Sequence, residues 1–506
     1  MSPRAWARLD NASNIFLAAR SDVDPKVFRL SAEMDHEVEP EILQHALDLT
    51  IEEYPLYRAV LRRGVFWYYL LDSDLHPQVQ ADRLPVCAPV YQGDHRSLLF
   101  RVAHHRRRII LEVFHALSDG TGALWFLTEL VTAYVRLRAS DAHPVQCPSA
   151  PPASPAPHEE PESPRTLSLD SFRRHFPRRR RRDASAPGAP LGSAAAEPTV
   201  APDAAAPDAG AAGEEQGDEA FLEAAQSAVL EDPVPPPPPG VRTARRLRAA
   251  GREQRHRAFG VHRIRGTRTP DARTRAVELT VPAAEVIARA KQARAGTTMY
   301  LTALLFEAVR RSARAPDRVA SLGASVPVNL RQFYPSTSPR NFFTALRVEH
   351  TRRSPDETVA EAARALDADF RAMLEPEELD ARVRRLIGLE RMPLLRIVPR
   401  PLKDVLLRLA NTVNNRGLTV AVSNLGRVEL PLDVAPHVRR LGFLVSAARP
   451  QICVISHGGS LTITFTSPFE ETGHVREFAR MLTDDGIPVR IAATRVKESK
   501  LREELV

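Results

Sequence analysis

Cysteine is scarce in this chain: three in 506 residues, at Cys87, Cys147 and Cys453. No two of them stand at the spacing of a redox or zinc pair, so neither a disulfide framework nor a metal site is expected. A reducing, cytoplasmic compartment fits that shortage. Long apolar runs are missing too, which argues against a transmembrane segment. The N-terminal Met1-Ser-Pro-Arg-Ala-Trp-Ala-Arg-Leu-Asp10 has no apolar core, so it does not read as a secretion signal. There is no Gly-x-Ser-x-Gly elbow and no Walker-type phosphate loop, which disfavours a serine hydrolase and a nucleotide hydrolase of those types. Internal repeats are absent.

What the chain has in excess is proline, 43 residues, and positive charge, net +8. Neither is evenly spread. From 142 to 257 Ala, Pro, Glu and Asp dominate, and Pro235 to Pro239 is unbroken. Such sequence cannot bury enough apolar surface to offset its ordering entropy. It reads as a disordered linker with two short helical pieces, Leu167 to Phe176 and Glu219 to Leu230. The densest basic cluster, Arg173, Arg174 and Arg178 to Arg182, lies in this stretch. No zinc-finger, helix-turn-helix or RNA-recognition pattern accompanies it, so specific nucleic-acid binding is not expected.

The flanking parts, 1–141 and 258–506, read as folded mixtures of strands and helices. In the first, Phe28 to Met34, Tyr57 to Leu61, Val65 to Leu71, Ser97 to Ala103 and Arg108 to Phe114 are expected strands, and Pro40 to Tyr54 is a helix. In the second, strands are expected at Arg275 to Val281, Ala320 to Val328, Leu418 to Ser423, Gln451 to His457 and Ser460 to Ser467. Helices are expected at Pro282 to Arg294, Thr298 to Ala313, Asp356 to Phe370 and His474 to Leu482. The hairpins predict an α/β (α+β) fold with mixed sheets flanked by helices.

The chemistry-bearing run is Arg108-Ile-Ile-Leu-Glu-Val-Phe-His115-Ala-Leu-Ser-Asp119-Gly120. A strand delivers a histidine to its end. Turn and cap residues follow, Ser118 to Gly122, and then Leu124, Leu127, Leu130, Val131, Tyr134 and Val135 at helical spacing. His115 therefore sits on a strand-to-helix loop, where functional residues concentrate. An ordinary strand-end histidine followed by an N-cap aspartate carries the same spacing. Acyl transfer needs a base of near-neutral pKa and donors for an oxyanion. Two more loops follow strands: Asn329-Leu-Arg331 and Ser423-Asn424-Leu-Gly426. The Ser423 hydroxyl, the amides of Asn329 and Asn424, and backbone N–H groups beside Gly426 are candidate donors. Asp119 has two possible jobs: to orient His115, or to pair with an arginine such as Arg331 and fix the loop that Gly120 turns. His104-His105 lacks the further ligands of a metal site and reads as an exposed turn, and Cys453 reads as core.

Arg8-Leu-Asp-Asn-Ala-Ser13, Leu61-Arg-Arg-Gly-Val-Phe-Trp-Tyr-Tyr69, Phe114-His-Ala-Leu-Ser-Asp-Gly120, Ser325-Val-Pro-Val-Asn-Leu-Arg331, Arg340-Asn-Phe-Phe343 and Ser423-Asn-Leu-Gly426 occur in this order. With them the chain resembles the chloramphenicol-acetyltransferase-like superfamily, and most closely its bacterial alcohol acetyltransferase-like branch. The resemblance implies two related α/β domains with an active-site tunnel between them. It implies His115 as general base, Asp119 as a structural aspartate, and the Ser423–Asn424 loop near the tunnel. It implies an acyl-CoA co-substrate and an alcohol or amine acceptor, with no resident cofactor, no metal and no acyl-enzyme. An acyl carrier protein as donor, and a non-catalytic binding module of the same fold, are the alternatives. The chain departs from condensation domains in having Phe114 where they carry a second histidine. It departs from plant members in lacking Asp-Phe-Gly-Trp-Gly.

Overall fold

The computed structural model describes residues 5–142, 170–176, 261–390 and 417–493, except 65–66, 94–95, 270–272 and 317–318, with isolated positions between 402 and 415. The expected helix Glu219 to Leu230 and the proline run lie outside the described residues.

In chain order the strands are β1 (Trp6–Arg8), β2 (Val27–Met34), β3 (Val60–Arg63), β4 (Tyr68–Leu71), β5 (Gln80–Ala81), β6 (Phe100–His105), β7 (Arg108–Phe114), β8 (Arg275–Pro282), β9 (Ser321–Asn329), β10 (Phe343–Thr351), β11 (Val420–Arg427), β12 (Val438–Val445), β13 (Gln451–His457), β14 (Ser460–Ser467) and β15 (Arg490–Ala493). They form a seven-stranded sheet, β10-β9-β11-β13-β14-β8-β15, a five-stranded sheet, β12-β2-β7-β6-β5, and a small sheet, β1-β4-β3. Both larger sheets are mixed. β11 runs parallel to β9 and β13, and β5 runs parallel to β6, while the other pairs are antiparallel. This is the α/β architecture of mixed sheets and flanking helices that the sequence predicts.

Each large sheet buries one face under long helices. Helices Pro40–Glu53 and Gly120–Ala142 share a core with β2 and β7, around Leu30, Leu47, Leu111, Phe126 and Tyr134. Helices Thr297–Ser312 and Gly473–Asp484 cover β13 and β14 through Leu301, Leu305, Ile452, Ile463 and Phe478. No helix among the described residues is long and apolar enough to cross a membrane. β7 is covered on both faces, so Glu112 is buried. Its carboxylate accepts from Arg29 Nε at 2.7 Å and also pairs with Arg101, as a buried charge must.

Several elements differ from expectation. The expected strand Tyr57 to Leu61 is a 3-10 turn, Pro55–Arg58, followed by β3. Pro55 has no N–H for a strand ladder, and Tyr57 is buried by stacking on Phe126, centroids 4.1 Å apart. His104 and His105 close strand β6; the turn is Arg106-Arg107, with Arg106 at φ 49°. β10, β12 and the helix Pro376–Glu390 were not anticipated. β12 comes from the second half of the chain yet edges the first half's sheet, pairing Phe443 with Leu30 and Val445 with Phe28.

Within the low-complexity stretch, the expected helix Leu167 to Phe176 is described only from 170, as a short turn of helix Ser171–His175 capped by Asp170. It is docked. Phe172 meets Phe342 edge-on at 4.9 Å, Phe176 meets Tyr334 at 5.0 Å, and both join a cluster with Leu330, Leu379 and Val383.

The helix Gly120–Ala142 starts under steric pressure from the second half. A Cβ at Gly122 would sit 2.1 Å from the Pro339 carbonyl oxygen and 2.6 Å from Ser118 Oγ. Gly122→Ala is therefore expected to cost about 1–3 kcal/mol through forced backbone shifts, read as a lower urea midpoint at unchanged slope.

Candidate active site

His115 lies where β7 ends, and its N–H donates to the Lys26 carbonyl at 2.8 Å, which holds the loop against the start of β2. Lys26 is itself in the left-handed region, φ 59°. The imidazole is walled by aromatic rings: Phe16 stacks on it at 3.9 Å, Phe28 meets it edge-on at 5.0 Å, and Phe343 lies at 5.8 Å. Burial among these rings depresses the His115 pKa to about 4; its own carbonyl and the charge of Asp119 oppose that shift, and Lys26 adds to it. The ring is thus neutral at physiological pH, with a lone pair to accept a proton. Nδ1 is buried and makes no hydrogen bond to a described residue. Nε2 makes no hydrogen bond to a described residue, and the side chain keeps partial exposure.

Asp119 turns away from His115 and joins the two halves of the chain. Oδ1 accepts from Gly122 N at 2.8 Å and so caps the helix Gly120–Ala142. Oδ2 accepts from Arg331 Nη1 at 2.7 Å and from Phe342 N at 2.8 Å. Of the two jobs left open by the sequence, the geometry is that of the arginine pair. Arg331 is equally committed. Its Nη2 donates to the carbonyls of Ser338 at 2.8 Å and Arg340 at 2.5 Å, and its guanidinium lies 5.2 Å from the Trp125 ring centre.

Of the other predicted residues, Asn329 reaches the start of the helix Gly120–Ala142 and the loop of Asn424 and Gly426 lies over it, while no hydrogen bond among the described residues joins Ser423 to that place. Asn329 Nδ2 donates to Thr121 Oγ1 at 3.2 Å, and its Oδ1 accepts from Arg331 N at 3.0 Å. β11 pairs with β9 only at Val420 and Ala421, after which the two parallel strands diverge. The bulge Asn424–Arg427 then fills the space over the helix start, bringing Leu425 against Gly120, where a Cβ would meet its Cδ2 at 2.8 Å. Asn424 shapes this bulge. Its Oδ1 accepts from Gly426 N at 2.8 Å, its Nδ2 donates to Thr298 Oγ1 at 2.9 Å, and Gly426 takes φ 78°. Ser423 pairs with Cys453 in the β11–β13 ladder and is half-buried. Cys453 is fully buried and its thiol is pushed up to about 12, which removes it from nucleophilic chemistry at neutral pH.

Sequence reasoning singled out neither Phe16, Ser13, Asp10 nor Asn341 as site residues. Asn341 Nδ2 donates to the His115 carbonyl at 2.8 Å and to Ser13 Oγ at 2.9 Å. Ser13 Oγ in turn donates to Asp10 Oδ1 at 2.7 Å, and Arg340 lies 3.6 Å from the other carboxylate oxygen. Burial raises the Asp10 pKa, with Arg340 and Ser13 pulling it back. Motifs near positions 10 and 340 thus meet under the histidine. The signal available in the sequence was the pair of short polar runs Asp10 to Ser13 and Arg340-Asn341, the second followed directly by Phe342 and Phe343.

No protein-family model matches the sequence, and no curated protein matches it. Solved structures do match by fold. The trichothecene 15-O-acetyltransferase of Fusarium sporotrichioides is similar at TM-score 0.56 and 12% identity, over 95% of this chain and 94% of that one. Polyketide synthase associated protein 5 of Mycobacterium tuberculosis is similar at 0.53 and 14%, over 95% and 98%. The first condensation domain of the CDA synthetase is similar at 0.51 and 16%, over 95% of each. The chain has the chloramphenicol-acetyltransferase-like fold. The likeness is shared between acetyltransferase and condensation-domain structures, so it belongs to the fold rather than to one branch. His115 stands where the two halves meet: β7 brings it from the first half, Asn341 of the second donates to its carbonyl, and Arg331 of the second pairs with Asp119 of its loop.

Two outcomes follow. Asp119→Asn leaves the Arg331 guanidinium buried without its counter-charge, and should destabilise the fold by about 3–5 kcal/mol in denaturant titrations. The second concerns titration. The folded His115 pKa is lowered, so below about 6.5 the unfolded chain binds a proton that the folded chain refuses. This contribution to stability is present above pH 6.5 and is lost as pH falls to about 4. An NMR titration should place the His115 midpoint near 4, and a midpoint near 6.5 would contradict the burial argument.

Proposed function

We propose that this protein is an acyltransferase that moves an acyl group from a thioester to the hydroxyl or amine of a small acceptor, with His115 as general base. The observation that carries the reading is the state of His115: neutral, stacked and fixed, with Nε2 unengaged at the junction of two halves. In the proposed step Nε2 takes the acceptor's proton as its oxygen or nitrogen forms a bond to the thioester carbonyl carbon. The carbonyl electron pair moves to oxygen, giving a tetrahedral oxyanion. Its donors are proposed near Ser423, from the Ser423 hydroxyl or backbone N–H groups of that loop, since the side chain of Asn424 is held by Thr298 and Gly426 and that of Asn329 by Thr121 and Arg331. Collapse breaks the C–S bond, and the thiolate recovers the proton from the imidazolium. Asp119, Arg331, Asn329 and Gly120 hold the loop geometry and do not touch the reacting atoms.

Free acyl-CoA is the proposed donor, in keeping with the trichothecene acetyltransferase likeness. The condensation-domain likeness favours a second reading, in which the thioester is borne by a carrier protein. Phe114, fully buried and stacked on Tyr91 at 5.4 Å, occupies the position before His115 and leaves a single histidine for the chemistry.

The test is thiol release from acetyl-, butyryl- and longer acyl-CoAs offered a panel of alcohols and amines. Acceptor-dependent release is expected, and His115→Ala should reduce it by about 10²–10⁴-fold while circular dichroism shows a folded chain. Undiminished release in folded His115→Ala sinks the mechanism. Release only from carrier-bound thioesters selects the second donor, and release from neither removes the acyltransfer reading.

A further inference from the structure

The second half of the chain carries a cavity that the proposed reaction does not use. Its volume is about 1020 Å³, and its wall includes Arg263, Arg265, Arg314, Phe469, Gly473 and His474. It lies at the far end of the seven-stranded sheet from His115. His262, at its edge, donates its N–H to the Ser321 carbonyl at 2.9 Å, where β9 begins. Asn329, at the other end of β9, bonds Thr121 beside the histidine loop. An extended strand of that length separates the two ends by roughly 26 Å. The helix Thr297–Ser312 makes the same passage: Thr298 bonds Asn424, and Ser312 borders the cavity.

Three features of the cavity suit an oxyanion. The first is the start of the helix Gly473–Asp484. Its N-cap Thr472 makes no side-chain cap, and its first turn holds no acidic residue. Val475 and Arg476 donate their N–H groups to the Thr472 carbonyl, while those of Gly473 and His474 meet no acceptor among the described residues. Such a helix start presents bare N–H groups and partial positive charge to a ligand. The second feature is His474. It is 5% exposed and lines the cavity, yet its ring makes no hydrogen bond to a described residue and has only Phe465 as a ring neighbour, at 6.1 Å. Burial lowers its pKa to about 4, so the ring is neutral and holds an N–H donor that no described residue uses. The third feature is charge. Arg263, Arg265 and Arg314 are exposed, and Arg263 and Arg265 form no ion pair with a described residue. Glu471 is the single acidic residue of the wall, and Thr267 takes its carboxylate through N–H and hydroxyl, both at 2.9 Å. Those bonds lower its pKa and keep it charged. Burial and Arg265 push His262 towards its neutral form. Three arginines against one carboxylate leave a net charge of +2. The helix Thr297–Ser312 ends here with carbonyls, which oppose an anion, but those of Val309 and Arg310 are taken by Ser312 Oγ and Ala313 N. The rest of the wall is apolar, with Val261, Ile264, Val319 and Phe469.

We propose that this cavity binds a phosphate monoester with an apolar body, at a site separate from the His115 centre. A dianion matches the net charge, and its oxygens accept from the His474 ring, from the two helix N–H groups and from the arginines. A carboxylate carries half the charge and leaves donors unused. The apolar body rests against Val261, Val319 and Phe469. The inference does not depend on the acyltransferase reading.

The probe is phenyl phosphate, a dianion at about pH 7.5, added to the full chain while the imidazole signals are followed by NMR. The His474 signal is the one lost in His474→Gln. Phenyl phosphate is expected to shift it, and to bind about tenfold or more tightly than inorganic phosphate or benzoate. Phenol should leave it in place. A bound dianion favours the charged ring, so the His474 midpoint should rise by about one unit or more. The double change Arg263→Ala, Arg265→Ala alters exposed side chains and should weaken binding about tenfold. An unmoved His474 signal overturns the proposal, as does equal affinity for phenyl phosphate and inorganic phosphate. Binding that moves the His115 signal and leaves that of His474 in place puts the probe in the other centre and also overturns it. Should His474→Gln not fold, calorimetric titration of the arginine variant beside wild type carries the test, and an equal affinity for phenyl phosphate overturns the proposal.

Discussion

One carboxylate organises the centre of this molecule. Asp119 caps the helix that follows the histidine, binds the backbone of Phe342, and pairs with Arg331, so a single buried residue fixes a helix start, a strand entry and a loop from the other half. Arg331 multiplies the effect by gripping two further carbonyls of the segment 338–340. Buried ion pairs contribute little net stability, because desolvation offsets most of the attraction. Their value here is geometric. Each oxygen of Asp119 has a defined donor, and so the loop carrying His115 has one shape. The ring itself is then set by contacts of another kind: aromatic walls that keep it neutral and an amide below it that holds its carbonyl.

The sequence made part of this readable and hid the rest. The strand, turn and helix around His115 were legible because alternation, turn residues and helical spacing follow one another within about thirty residues. The Arg331 pairing was legible only as one option among several, since partners 212 residues apart leave no local trace. Asn341 and Ser13 were not legible as site residues at all. Asn341 sits in a short irregular segment and Ser13 in the first turn of the short helix Asn11–Ala18, where polarity is equally suited to exposure, and only the fold buries them. Asn424 illustrates the reverse: it looked like an oxyanion donor, and the structure uses its amide to shape a bulge. β12 escaped because Arg439 and Arg440 interrupt its apolar pattern. In place, Arg440 bonds Glu33 at 2.7 Å and Thr280 at 2.9 Å, a link between the two large sheets.

The low-complexity stretch also needs a more divided description than its composition offers. Most of it lies outside the described residues, but 170–176 is packed on the segment 330–342 that carries Arg331 and Asn341. The sequence offered a short helix here, Leu167 to Phe176; what its composition did not offer is the surface on which Phe172 and Phe176 pack.

The position of β12 has a consequence for how the chain reaches its native state. The sheet that bears His115 is completed by a strand made last, and the bond from Val27 N to Ser446 Oγ spans 419 residues. Until that strand arrives, β2 is a long apolar edge with unpaired amides, the kind of surface that recruits other chains. Synthesis at about 5–20 residues per second leaves that edge waiting for tens of seconds. The first half's sheet is therefore complete only after most of the second half has been made, and the protection of that edge during synthesis is a problem that the architecture imposes on the cell.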